Sequence, residues 1–171
     1  MKTPRIENVS YQDVICGNHM DINNNSMLIQ IVDPGDNFPV PARKFSEIHG
    51  FKFFDIEEKL SHGESLQITD VQAKEIADLL TRALEEEKDV VVHCVAGICR
   101  SGAVAEVGVM MGFEDWFAYR RPNLMVKHKL LEALGLDYDP NEPFSENGRY
   151  FYYDELKNKI YFDEKKNNKK I

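Results

Sequence analysis

No stretch of this chain is apolar for long enough to cross a bilayer, and its opening Met-Lys-Thr-Pro-Arg leads into no hydrophobic segment. The expectation is a cytoplasmic protein without a membrane partner. Cysteine is scarce and odd in number, three residues at Cys16, Cys94 and Cys99, which argues against a disulfide framework and for reduced thiols. No Cys/His cluster has zinc spacing, so neither a metal nor another cofactor is expected. Positive charge is in deficit as well. The net charge of −8 argues against broad nucleic-acid binding while leaving room for a small local anion site. Internal repeats and low-complexity linkers are also missing, which points to a single domain over 1–171. Its core is expected over 27–135, with 136–171 a C-terminal extension ending in a basic tail.

What is present is an ordinary globular balance, 43% apolar and 29% charged residues, enough for one sizeable core. MLIQIV (27–32) reads as a buried strand closed by the turn signal Asp33-Pro34-Gly35, and PGDNFPVPARKF (34–45) as loop. FKFF (51–54) reads as a second strand with Asp55 at its end. Thr69 and Gln72 form a capping-box pattern ahead of a helix whose apolar face carries Val71, Ile76, Leu79, Leu80, Ala83 and Leu84. The acids Glu85, Glu86 and Glu87 oppose its dipole and predict a frayed end. DVVVHC (89–94) has the unbroken β-branched character of a strand buried on both faces. A second helix follows from Arg100, with Gly102, Ala103, Ala105 and Gly108 allowing close approach to the sheet and Gly112 stopping it. RRPNLMVKHKLLEALG (120–135) gives a last helix, begun near Pro122-Asn123 and ended at Gly135. Residues 144–163 fit either a hairpin around Asn158-Lys159 or a helix. The lysines of YFDEKKNNKKI (161–171) fit either a solvated tail or a weak docking arm. The fold class predicted is α/β, a mostly parallel central sheet flanked by helices.

VVHCVAGICRSG (91–102) is the stretch that bears chemistry. It turns a buried strand into a helix N-terminus at the carboxyl edge of the predicted sheet, where open α/β proteins bind ligands. Unsatisfied N–H groups and the positive dipole end make an anion site there. Gly97 lets the loop curl so that successive amides point inward as a nest. Arg100 adds a guanidinium fork matched to two phosphate oxygens. In that field Cys94 is placed to react as a thiolate, in line with a bound phosphorus. Ser101 offers a hydroxyl to the sulfur, and His93 orders the loop by hydrogen bonding. The plain alternative is a buried cysteine acting as a small hydrophobe and an exposed arginine. Gly97 within and Ser101-Gly102 after weigh against it.

HCVAGICRSG resembles the phosphate-binding loop of the cysteine-dependent protein tyrosine phosphatases, a His-Cys, five residues, an Arg, then Ser or Thr. With Ala96-Gly97 inside, it most resembles the dual-specificity group with its small bacterial and phage members. The likeness extends over most of 27–135. It implies a dual-specificity-phosphatase-like fold and hydrolysis of phosphotyrosine, with phosphoserine and phosphothreonine also open, through a phosphocysteine. The phosphate-binding loop would be Val95, Ala96, Gly97, Ile98, Cys99 and Arg100, and the partner a phosphorylated protein. The family also needs a general acid upstream. Asp55 matches its strand-then-Asp pattern, farther from the cysteine than is usual, so LSHGESLQ (60–67) reads as an insertion. Asp70 is the second candidate, its other role being at the start of the helix, and Glu57 and Glu58 are remote ones.

Cys99 departs from most dual-specificity loops. GICRS is similar to a segment of the low-molecular-weight tyrosine phosphatases, although there the loop opens the chain. Cys99 is either a small filler or a thiol that resolves an oxidised Cys94 as a disulfide; Cys16 reads as packing. Arg120 and Arg121 are either surface charge or contacts for the phosphorylated partner. Substrate alternatives are RNA 5′-phosphates or phosphoinositides, disfavoured by the acidic chain and a loop without lysine. Arsenate reduction is disfavoured by the shortage of shuttle cysteines, and a phosphopeptide-binding module by the presence of nucleophile, acid and arginine together.

Overall fold

The carboxyl ends of five parallel strands define one edge of the central sheet. In the computed structural model, which describes residues 2–57, 66–136, 145–146, 149–153 and 159–161, the order begins β1 (Arg5–Ser10), α1 (Tyr11–Cys16), β2 (Ser26–Val32) and β3 (Glu47–Lys52). It continues α2 (Asp70–Glu85), β4 (Asp89–Cys94), α3 (Arg100–Met111), β5 (Glu114–Asp115) and α4 (Leu124–Leu134). The sheet runs β3-β2-β4-β1-β5, parallel throughout, as the α/β reading expects.

Period-two alternation sorts the strand side chains between two layers. Met27, Ile29, Ile31, Val90, Val92 and Cys94 face α2, α3 and α4, whereas Leu28 and Val91 face a smaller cluster with Val14, Met20 and Phe45. β4 is buried at every residue, as its β-branched run predicts. The Thr69/Gln72 capping box forms in both directions and starts α2, which buries Ala73, Ile76, Ala77, Leu80 and Ala83. Val71 is 66% exposed and so does not belong to the face assigned to it. The acidic end of α2 is tied rather than open. Lys88 N donates to Ala83 O at 2.8 Å, and Asn25 Nδ2 donates to Glu86 O at 2.9 Å.

Three further elements differ from expectation. RIENVS forms β1, a strand paired on both sides, although only Ile6 and Val9 give it apolar character. β3 spans EIHGFK, so Phe53 and Phe54 lie past its end; Phe53 is fully buried all the same, its N–H donating to Val32 O at 3.1 Å. Cys16 ends α1 exposed, in contact with Gln12 Nε2 at 3.3 Å, and does not pack in the core.

The small residues of α3 act at two places. Gly108 leaves room for Ile6 of β1, whose Cδ1 lies 2.6 Å from where a Cβ would stand, and Gly102 leaves room for Arg120, whose Cβ lies 2.9 Å away. The first is the approach to the sheet expected from sequence; the second is an approach to a loop. α4 begins with Asn123 as N-cap and ends on Gly135 in the left-handed region, φ 66°. A separate antiparallel sheet holds β6 (Ser145–Glu146), β7 (Arg149–Tyr153) and β8 (Lys159–Tyr161) in that order. The described residues within 144–163 are therefore strand rather than helix, and Lys159 pairs with Tyr153 in the ladder. Glu58, most of LSHGESLQ and residues 162–171 of the basic tail lie outside the described residues.

Candidate active site

Cys94 is the last residue of β4, paired with Ser10 of β1, and its side chain is 2% exposed. The following loop turns through Gly97 at φ 76°, a backbone that favours glycine. Space demands glycine too. A Cβ there would stand 2.3 Å from the Val9 carbonyl carbon and 2.4 Å from Ser10 N.

Four loop carbonyls are bonded outward to the scaffold. Val95 O accepts from Tyr11 N at 3.2 Å, Gly97 O from Asn8 Nδ2 at 2.8 Å and Ile98 O from Arg121 N at 3.1 Å. Cys99 O accepts from Asn123 N and Ala103 N, each at 2.9 Å. Successive peptide units held this way turn their N–H groups to the opposite side, into the concavity. Gly97 N donates to Cys94 Sγ at 3.2 Å, and Ser101 Oγ lies 3.1 Å from the same sulfur. Cys99 is the N-cap of α3 and supplies no side-chain cap, so the first N–H groups of α3 keep no such partner.

Arg100 is 5% exposed and held from one side. Its Nη1 donates to Asp33 Oδ1 and to Phe53 O, both at 2.7 Å. Its Nε is buried and has no hydrogen-bond partner among the described residues. A buried guanidinium N–H left unpaired is costly, and an anion oxygen would satisfy it. His93 is fully buried between Gln30 Oε1, 3.0 Å from its Nε2, and Cys94 O, 3.2 Å from its Nδ1. Burial, followed by the charge of Arg100, pulls the imidazole down to about 4, against the raising effect of the Cys94 carbonyl. It is neutral at neutral pH.

Asp55 is exposed at the rim, its Oδ1 accepting from Asn123 Nδ2 at 2.6 Å. Asn123 is fully buried and also accepts from Val126 N at 3.0 Å through Oδ1, so its side chain caps α4 and holds Asp55 while its backbone N–H anchors the loop. The Cys99 thiol lies within electrostatic reach of Asp55. Burial first, then the negative charges of Asp55 and Cys94, push that thiol up. Asp70 pairs with Lys129 Nζ at 2.6 Å, and Glu57 Oε1 accepts from Leu124 N at 3.3 Å. Both are engaged with α4.

Arg120 corrects the sequence reading. It is neither surface charge nor a contact for a partner: it is 8% exposed, with Nη2 2.6 Å from Asp115 Oδ2 and Nε 3.3 Å from Glu106 Oε1. Arg121 is exposed and contributes its backbone N–H. Three residues around the loop were not recognised from sequence as parts of a site. Asp33 reads there only as a turn, Asn123 only as a helix start, and Asn8 carries no signal at all. Among the described residues, no group of three or more His, Cys, Asp or Glu side chains is placed to hold a metal, and no helix is long and apolar enough to cross a membrane.

The result is a strand-loop-helix cup with sulfur at its floor and a one-sided guanidinium in its wall, an arrangement that offers donors and positive charge to an anion. No protein-family model matches the chain, and no curated protein does. Among solved structures it is similar to OH1 from the Orf virus, described as a tyrosine phosphatase that displays distinct structural features and triple substrate specificity. The two share 21% identity over 64% of this chain and 57% of that one, with a TM-score of 0.42. The chain thus spans somewhat over half the length of that structure.

Proposed function

We propose that residues 1–171 form a single phosphatase domain of the cysteine-dependent, dual-specificity-like type. It hydrolyses phosphotyrosine in proteins, and phosphoserine or phosphothreonine as well, in the cytoplasm. The observation that carries the reading is the loop itself. Its carbonyls are tied outward, Cys94 Sγ sits within reach of Gly97 N and Ser101 Oγ, and the buried Arg100 Nε has no partner among the described residues.

The chemistry runs in two steps. Cys94 sulfur attacks phosphorus, an S–P bond forms, and the P–O bond to the leaving group breaks. Asp55 passes its proton to the departing oxygen, so no bare phenoxide or alkoxide is expelled. The loop amides and Arg100 hold the three equatorial oxygens throughout, a preorganised field that supplies most of the rate. Asp55, now a carboxylate, takes a proton from water; the water oxygen attacks phosphorus and the S–P bond breaks. Ser101 hydrogen-bonds the sulfur as it leaves with the electron pair. The Asp55 proton and the Cys94 thiolate are both restored.

The test is release of p-nitrophenol from its phosphate ester, with chelator present, by wild type and Cys94→Ser. Turnover by wild type alone is expected. Turnover that survives Cys94→Ser removes the thiolate mechanism. Phosphopeptides, RNA 5′-phosphates and inositol phosphates then rank substrates, with phosphotyrosine peptides expected to lead.

A further inference from the structure

The proposed reaction uses none of the polar groups buried beneath the outer flank of the loop, yet four of them are almost completely shielded. Glu106 and Lys127 are 0% exposed, Asn8 3%, and the Arg120 side chain 2%. They come from β1, α3, the 115–123 segment and α4, so no local structure requires them to meet.

Asn8 stands at the centre. Its Nδ2 donates to Gly97 O at 2.8 Å and to Tyr119 O at 3.0 Å, and its Oδ1 accepts from Arg120 Nη1 at 3.4 Å. Two carbonyls on one side and a guanidinium on the other permit only one orientation of the amide. Arg120 in turn is held by Asp115 through Nη1 at 3.1 Å and Nη2 at 2.6 Å, and by Glu106 at 3.3 Å. Gly102, without a Cβ, lets α3 come against Arg120 and closes the stack.

We infer that Asn8 is a positioning residue for the phosphate loop, with its orientation set by Arg120. The inference rests on the phosphatase reading above. By holding the Gly97 carbonyl on the outer side, Asn8 fixes the peptide plane of the Gly97-Ile98 bond, and with it the direction of the Ile98 N–H toward the anion. The ion pairs beneath are a rigid mount. Glu106 and Asp115 neutralise Arg120, so its charge does not compete with Arg100 for the substrate dianion.

The experiment compares wild type, Asn8→Ala, Asn8→Asp, Arg120→Met and the double variant Asn8→Ala/Arg120→Met. The measurements are p-nitrophenyl phosphate turnover, vanadate inhibition and near-ultraviolet circular dichroism. Asn8→Ala is expected to weaken vanadate inhibition about tenfold, the effect of one lost hydrogen bond to a preorganised group, with native dichroism retained. Asn8→Asp keeps the contact to Arg120 but faces two carbonyls with a carboxylate, so it should bind vanadate no better than Asn8→Ala. A merely structural residue would tolerate that change better than truncation. The double variant should be no worse than the poorer single one, because the two act in series. Native-like variants with wild-type vanadate inhibition, an Asn8→Asp close to wild type, or fully additive losses would each overturn the inference. Should Arg120→Met not fold, the two Asn8 variants still decide. A wild-type chain that neither binds vanadate nor hydrolyses the ester sinks the phosphatase reading and this inference with it. An active wild type with insensitive variants sinks this inference alone.

Discussion

Asp33 holds Arg100 from the side opposite the unpaired Nε, Oδ1 to Nη1 at 2.7 Å, across sixty-seven residues of sequence. The carboxylate is a third exposed and the guanidinium 5%. The pair therefore reaches from solvent into the buried wall of the cup. Together with Phe53 O it occupies Nη1 and leaves the Nε side of the fork for an oxygen. Asp33→Asn keeps the shape and loses the charge, so Arg100 gains freedom to swing. The expected result is a fall in kcat/KM for p-nitrophenyl phosphate of about tenfold, the scale of one charge-assisted hydrogen bond. Steady-state kinetics checks it, and unchanged constants in a folded variant rule the restraint out.

Asp55 and Asp70 are separated by what each one touches. Asp55 accepts from Asn123, whose backbone N–H holds the loop, whereas Asp70 is engaged with Lys129 on α4. Asp55→Asn is expected to slow phenyl phosphate, a poor leaving group, by about a hundredfold and p-nitrophenyl phosphate much less. Asp70→Asn should leave both rates near wild type. A leaving-group effect that follows Asp70 would reassign the acid. Asn123→Ala should lose part of the same effect, because the side chain that holds Asp55 is gone.

The pattern of what the sequence reveals follows from locality. DVVVHC, the Thr69/Gln72 box, Asn123 and Gly135 all form from neighbours within a turn or a strand, so spacing alone identifies them. β1 does not, because its interior position Asn8 is satisfied by Gly97 and Tyr119, about ninety or more residues away, and so looks like surface in sequence. α1 has six residues, too few to show a period. FKFF misplaces β3 because Phe53 is buried by packing after the strand has ended. Arg120 reads as surface although its partners are nearer in sequence, Asp115 five residues away and Glu106 fourteen. Its partners Glu106 and Asp115 come from α3 and β5, and a charge is assigned to solvent unless its partner is visible. The nucleophile loop was legible because its spacing is local; the residues that hold it were not, because their contacts are distant.

His93 gives the fold a pH dependence of definite sign. Its folded value of about 4 lies below the ordinary value near 6.5, owing first to burial, so the unfolded chain binds the extra proton more readily. Stability from the neutral ring is full above about pH 6.5 and is lost as pH falls toward 4, by about 3 kcal/mol in all. Urea denaturation of wild type and His93→Gln at pH 7, 6, 5 and 4 measures it. The variant should be less stable at pH 7 and lose less on acidification. Parallel curves would show that other groups set the acid limb.

Gly97 allows strain and crowding to be told apart. An alanine there suffers twice, from the left-handed backbone at φ 76° and from a Cβ placed 2.3 Å from Val9 C, a backbone atom of a central strand that cannot swing aside. Gly135 at φ 66° has the same backbone demand and nothing within 4 Å. Gly135→Ala should therefore cost only the left-handed penalty, about 1–2 kcal/mol, and leave turnover untouched. Gly97→Ala must also move the loop off β1, which shifts the Gly97 N–H away from Cys94 and the Gly97 carbonyl away from Asn8. Its expected cost is larger, roughly 3 kcal/mol, and it should abolish vanadate inhibition as well as turnover. Equal stability losses in the two variants, or a Gly97→Ala protein that still turns over, would mean that the loop is not seated against β1 in the working enzyme.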